Sequence, residues 1–298
     1  MSRRVELAGL ALAAYCVVNG AFVPAVAKLT TATASGLTIA VFTSAFAGCV
    51  AISLLAVRGQ LALLFPRRDL GTLVAIGALG TAIAFLLYYS GAKRVSAIET
   101  ALCVQTEPLY SLIGTRVVLG HPIAKRRIFA VTAIAAGIAL AIGTAPVSGW
   151  LGLGLLLATP LAWQSSHWVA LRRLAEFNPS QLSAARYVYG TLVLLPIWLA
   201  VDGTAALPAR DELAGFLPVV ALQGAVLAFG GTLAWYAAVK RLDLTRATAI
   251  VVPSAPIVSL LVSYLVLGEQ VSLRQAIGFA MTAAGVLTFA LNPSVTRD

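Results

Sequence analysis

Charge is what this chain has least of. Asp, Glu, Lys and Arg make up 11% of its 298 residues, where soluble domains carry roughly 25%. Hydrophobic residues make up 60%, more than a soluble fold of this length can hide, so lipid must be the solvent for much of the chain. Cysteine is scarce too. Cys16, Cys49 and Cys103 each sit alone inside an apolar run with no CxxC spacing, which argues against a disulfide framework or a metal site. The two histidines, His121 and His167, belong to no HExxH motif, and there is no GxSxG, so an enzyme is not expected. A GxxxxGK[ST] loop is also missing, so neither ATP nor another cofactor is expected. The net charge of +10 does not point to nucleic acid. Its longest basic run is Lys125-Arg126-Arg127, and the rest is scattered between apolar runs, as befits loops facing anionic headgroups.

What is present is a series of apolar runs, each near the 20 residues that span a bilayer core. Ten spans are predicted: Leu7 to Ala27, Ser35 to Val57, Leu70 to Ser90, Ser96 to Leu119, Ile128 to Gly143, Trp150 to Leu171, Leu182 to Val201, Ala214 to Val239, Ala247 to Leu267 and Gln275 to Leu291. They must be helices, because backbone groups in lipid have to be satisfied within the segment, and no period-2 alternation suggests a barrel. Arg3 and Arg4 precede the first run as in a signal peptide, but the run is long, lacks a small-residue cleavage site, and reads as a retained helix. With the N-terminus inside, fourteen Lys and Arg fall on the inner side and five on the outer. Arg116 and Arg186 are set aside as inner helix ends. Both termini are therefore expected in the cytoplasm.

The two halves match at an offset of 148 residues. Pro108 falls on Pro256, Val118-Leu119-Gly120 on Val266-Leu267-Gly268, Arg126 on Arg274, and Ala135-Ala136-Gly137 on Ala283-Ala284-Gly285. Residues 1–146 and 147–298 are read as two repeats of five helices. Five is odd, so the second copy enters the membrane from the opposite side. The fold expected is an all-α integral membrane protein of ten transmembrane helices in two inverted repeats, an architecture that recurs in secondary transporters.

Several segments resemble the drug/metabolite transporter superfamily, in particular its ten-helix EamA type, to which YddG-type amino acid exporters are related. Trp235-Tyr236, Lys240-Arg241, Pro256, Leu267-Gly268-Glu269, Gly278 and Gly285 look like the end of that family's repeat, and Thr106-Glu107-Pro108 like its Glu-Pro. Trp163 followed by Arg172-Arg173 is similar to its sixth helix. Three places depart from the pattern: Asn19-Gly20 stands for Trp-Gly, Ala255-Pro256 lacks the Glu, and Gly120-His121 stands for Gly-Glu. The resemblance implies export of amino acids or other small metabolites across a bacterial inner membrane.

Candidate site residues follow from cost. Pro108, Pro253 and Pro256 each remove an N–H inside a span, and breaks at matching places in two halves point to a transporter site, or else to packing kinks. Glu107 is an acidic residue near a helix midpoint. It reads as a ligand for a substrate amine, a proton-coupling group, or a neutral carboxyl bonded to a freed carbonyl. Trp163 and His167 share a helix face, beside Gln164, and Tyr15 and Asn19 match them at the 148 offset. Such aromatic-then-polar pairs suit a substrate cavity, or else an interfacial belt and helix packing. Tyr89, Gln105, Gln223, Trp235 and Tyr236 are further candidates. Small residues at Ala133-x-x-x-Gly137 and Gly278-x-x-x-Thr282 mark close helix packing, either inside a monomer or at a homodimer face. The expected partners are a small-molecule substrate and membrane lipids.

Overall fold

The computed structural model describes residues 3–66, 68–117, 123–143, 149–173, 177–242 and 244–291. The Gly120-His121 pair and the end of the fourth span at Leu119 lie outside the described residues. Among the described residues the chain is helical and has no strand. The segments are α1 (Arg3–Thr33), α2 (Gly36–Val57), α3 (Leu70–Gly77), α4 (Ala84–Ala92), α5 (Ala97–Cys103), α6 (Glu107–Val117), α7 (Lys125–Ile142), α8 (Trp150–Arg173), α9 (Pro179–Val201), α10 (Arg210–Leu222), α11 (Gly231–Leu242), α12 (Leu244–Leu267) and α13 (Leu273–Ala290). Among the described residues six stretches are long and apolar enough to cross a membrane: Arg4–Thr33, Gly36–Val57, Leu70–Ala92, Ser180–Val201, Arg210–Leu242 and Leu273–Ala290.

The ten expected spans map onto these segments once three of them are seen to be composite. The third span is α3 and α4 joined by a π-helical stretch, Ala78–Ile83. The eighth is α10 and α11 joined by another, Gln223–Gly230. The fourth is α5 and α6 joined by a 3-10 turn, Val104–Thr106. That turn ends two residues before Pro108, where the missing proline N–H removes the bond to the Val104 carbonyl. Pro253 and Pro256 act differently: α12 runs through both as one helix, Leu244–Leu267. The break expected there is not a change of helix type, because membrane helices absorb a proline when neighbours re-satisfy the freed groups. Helices also outrun their apolar runs. The Thr30 hydroxyl of α1 donates to the carbonyls of Val26 and Ala27 at 3.0 and 3.1 Å, so a polar residue late in the helix carries its own acceptors.

The chain forms two compact units, and each interleaves segments from both halves of the sequence. Unit 1 holds residues 1–25, 95–153 and 234–298; unit 2 holds 26–94 and 154–233. In unit 1, α7 and α13 cross at small residues. A Cβ on Gly137 would lie 2.6 Å from the Gly278 carbonyl oxygen, and one on Gly285 2.7 Å from the Ala130 carbonyl oxygen. At the 148 offset the first pair maps onto the second, so the crossing is its own image under the repeat. The small-residue faces of Gly137 and Gly278 thus meet inside one chain, driven by close van der Waals packing. Apolar contacts of Ile98, Leu102, Ala141 and Phe279 fill the space alongside.

The start of α5 shows why the Leu267-Gly268-Glu269 segment has its composition. Gly268 takes the left-handed conformation (φ 66°) that ends α12, and its N–H returns to the Tyr264 carbonyl at 3.1 Å. The Glu269 carboxylate then accepts from the N–H groups of Ala97 (2.8 Å) and Ile98 (3.0 Å). Ser96 and Glu99 complete a capping box. Glu99 is thereby a helix cap.

In unit 2 the two π stretches sit beside tight helix contacts. A Cβ on Gly77 would lie 2.7 Å from the Gly190 nitrogen of α9, and one on Gly224 2.4 Å from the Thr43 oxygen of α2. One end of the unit gathers Ser35, Thr38, Asp202 and Trp198. Asp202 accepts from the hydroxyls of Ser35 and Thr38, and the Trp198 indole donates to Thr38 Oγ1 at 3.0 Å. At the same end Lys93 Nζ donates to the Ala34 carbonyl at 3.0 Å. The other end gathers Arg58, bonded to Ser180 at 3.1 Å, and Gln181 and Tyr189, bonded to the carbonyls of Leu63 and Leu64. Loops that ten alternating crossings place on one side therefore meet on one side.

Candidate functional site

The residues singled out from the sequence divide between the units. Tyr15, Asn19, Gln105, Glu107, Pro108, Trp235, Tyr236, Pro253 and Pro256 belong to unit 1, and Tyr89, Trp163, Gln164, His167 and Gln223 to unit 2.

In unit 1 several candidates spend their polar groups locally. Asn19, 6% exposed, donates to the Tyr15 hydroxyl at 3.1 Å, one turn away; Tyr15 itself is 39% exposed. Gln105 donates to the Ala101 carbonyl of its own helix at 3.4 Å. Trp235 packs against the cluster of Ala13, Leu242 and Ala247. Pro108 and Pro256 are buried, and Glu107 and Tyr236 are half-buried.

Unit 2 brings more of its candidates together. The rings of Tyr88 and Trp163 lie 6.2 Å apart, and those of Tyr88 and Tyr89 5.2 Å apart, edge to face. Tyr89 neighbours the side chains of Gln223 and Thr43. Gln223, 1% exposed, has its side-chain amide 3.2 Å from Thr30 Oγ1. Gln164 is buried and His167 half-buried on the same helix as Trp163. Four buried polar atoms here have no hydrogen-bond partner among the described residues: Thr81 Oγ1, Tyr88 Oη, Trp163 Nε1 and Ser183 Oγ. Buried polar groups are bonded in the great majority of cases, and lipid offers no substitute partner. A cluster left open on aromatic and hydroxyl groups is suited to a ligand with both apolar and polar parts.

The π stretches supply polar backbone to the same unit. A π turn disturbs the regular ladder, and such turns occur often at functional sites. The Gly80 carbonyl accepts from Arg186 Nε at 3.0 Å and Nη2 at 2.6 Å. One turn earlier, the Ile76 carbonyl accepts from Ser166 at 3.1 Å. In the other π stretch the Ala228 carbonyl accepts from Tyr187 Oη at 2.8 Å and Thr232 Oγ1 at 2.9 Å. Arg186 was expected at an inner helix end. It is the eighth residue of α9, its charge reaches His167, and it is the functional candidate that sequence reasoning set aside. The available signal was a cation inside an apolar span.

Apolar helices long enough to cross a bilayer, an internal repeat and a lined polar cluster define a multi-pass membrane protein of the transporter class. The sequence model of the EamA-like transporter family matches residues 7–143 and again residues 150–291, and the chain belongs to that family. A protein from Streptantibioticus cattleyicolor named "Probable terminal-alkyne amino-acid exporter" is 28% identical over 243 residues, 79% of this chain and 78% of that one. An "Uncharacterized transporter" of Archaeoglobus fulgidus is 23% identical over 74% of this chain and 77% of its own length. Protein PecM of Dickeya dadantii is 26% identical over 69% of each chain. A solved crystal structure superposes with a TM-score of 0.66 at 19% identity, covering 97% of this chain and 98% of the other, and shares the fold.

Proposed function

We propose that this protein is a secondary transporter that exports small metabolites, amino acids or related amphipathic compounds, by alternating access. The observation that carries the reading is the open polar cluster of unit 2. Tyr88 Oη and Trp163 Nε1 are buried among aromatic rings with no protein partner among the described residues. An amphipathic solute would stack its apolar part on Tyr88 and Trp163 and bond its polar part to the freed groups. The amino-acid exporter among the relatives, at 28% identity, supports the substrate class.

The remaining parts of the reading follow the sequence. Residues 1–146 and 147–298 act as inverted repeats, with both termini in the cytoplasm by the excess of inner Lys and Arg, in a bacterial inner membrane. The protein works as a monomer or homodimer. Glu107, half-buried at the start of α6, binds a substrate amine or couples export to proton entry. Tyr15, Asn19, Tyr89, Gln105, Gln164, His167, Trp235 and Tyr236 remain candidate substrate contacts.

The test is proton-gradient-driven uptake of labelled amino acids and metabolites into inside-out vesicles, with Trp163→Ala and Glu107→Gln alongside. Saturable accumulation of one class, weakened in Trp163→Ala, is the expected result. Loss of accumulation in Glu107→Gln with binding retained would assign the coupling role. No flux of any compound by folded protein would overturn the transport reading.

A further inference from the structure

Arg186 carries a charge that its visible hydrogen bonds do not require. It satisfies the Gly80 carbonyl through Nε and Nη2, yet in the other π stretch the Ala228 carbonyl is satisfied by the neutral hydroxyls of Tyr187 and Thr232. A hydroxyl is therefore enough for a carbonyl in a π stretch. A guanidinium inside an apolar span is costly and is retained where a partner or pathway needs it. Among the described residues no carboxylate pairs with it. The described acids of unit 2 are Asp69, Asp202, Asp211 and Glu212, and all stand at helix ends.

The surroundings are those of an anion site. Ser183 lies one turn before Arg186 on the same face of α9, with its hydroxyl buried and unpartnered. Thr81 follows Gly80 in the π stretch, packs its methyl side on Gly190 one turn after Arg186, and has a second buried, unpartnered hydroxyl. One cation and two hydroxyl donors match a monoanion, and a guanidinium suits a carboxylate. Two turns beyond Gly80 on the same span, the Tyr88–Trp163 pair offers an apolar surface.

We propose that Arg186, with Ser183 and Thr81, binds the carboxylate of the transported molecule, so that the substrate class is carboxylates with an apolar or aromatic body. This rests on the transport reading above. Removing the carboxylate from a substrate costs about tenfold or more in affinity, the usual size of a charge-assisted bond.

The test measures binding to the purified full chain in detergent for a panel of aromatic and aliphatic amino acids, and for 3-phenylpropionate, phenylalaninamide and phosphatidylglycerol. Wild type, Arg186→Gln and Arg186→Lys are compared. Amino acids and phenylpropionate bind wild type at least about tenfold more tightly than the amide. Arg186→Gln loses that ratio, and Arg186→Lys keeps it at lower affinity. A purely structural Arg186 would lower stability and leave the ratio unchanged, which would overturn the proposal. So would equal binding of acid and amide, no binding of any carboxylate, or protection by the lipid alone. The wild-type ratio decides even where a variant does not fold. Vesicle flux is read separately. Carboxylate preference without flux would sink the transport reading and leave the anion site standing, and flux without preference would do the reverse.

Discussion

Replacing Glu269 should loosen the start of α5, and the size of the effect can be worked from the hydrogen bonds. The first four N–H groups of a helix have no intrahelical acceptor. Here all four are accounted for. Ser96 N–H goes to Glu99 (2.9 Å), Ala97 and Ile98 N–H to Glu269 (2.8 and 3.0 Å), and Glu99 N–H to Ser96 Oγ (3.1 Å). Glu269→Ala orphans two of the four and leaves the capping box in place. Each bond to a charged acceptor contributes roughly 1.5–3 kcal/mol, and the carboxylate at a helix N-terminus adds about 0.3–1 kcal/mol. Glu269 is half-buried, so water recovers part of this, and a net loss of about 2–4 kcal/mol is expected. Glu269→Gln keeps an oxygen acceptor and loses the charge, so about half that loss is expected. The assay is thermal unfolding of purified protein in detergent, followed by the fraction that stays monodisperse. The order expected is wild type, Gln, Ala. An Ala variant within about 0.5 kcal/mol of wild type would show that the carboxylate is not capping α5.

Two further outcomes follow from packing and from the π stretches. Gly137→Leu puts a side chain against the Gly278 backbone, where even a Cβ lies 2.6 Å from the carbonyl oxygen; expression as monodisperse protein should collapse. Gly154→Leu, where a Cβ meets nothing within 4 Å, should behave as wild type in the same assay. Tyr187→Phe removes the hydroxyl that the Ala228 carbonyl shares with Thr232 and should cost about 0.5–1.5 kcal/mol in thermal unfolding. A neutral result would mean that Thr232 alone satisfies that carbonyl.

Hydropathy along the chain was enough to establish lipid as the solvent, to place the helices within a few residues, and to expose the repeat. A membrane span is a local property: about 20 adjacent apolar side chains suffice, whatever they pack against. Pro108 likewise announced a local irregularity, because the lost N–H acts on its own preceding turn. Polar roles were less legible. Asn19 and Trp235 read as cavity or packing residues, and the sequence did not show that Asn19 bonds to Tyr15 or that Trp235 lies on an apolar cluster. Glu99 and Glu269 turned out to share the cap of one helix, although 170 residues separate them. The small residues around Gly137 and Gly278 could have served a dimer until tertiary structure set them against each other. No propensity in the sequence announced the π stretches at Ala78–Ile83 and Gln223–Gly230, or Arg186 on the Gly80 carbonyl 106 residues away. A hydrogen bond needs donor and acceptor within about 3 Å. Which distant groups reach that distance is decided by how helices cross, and that is known only when they are packed.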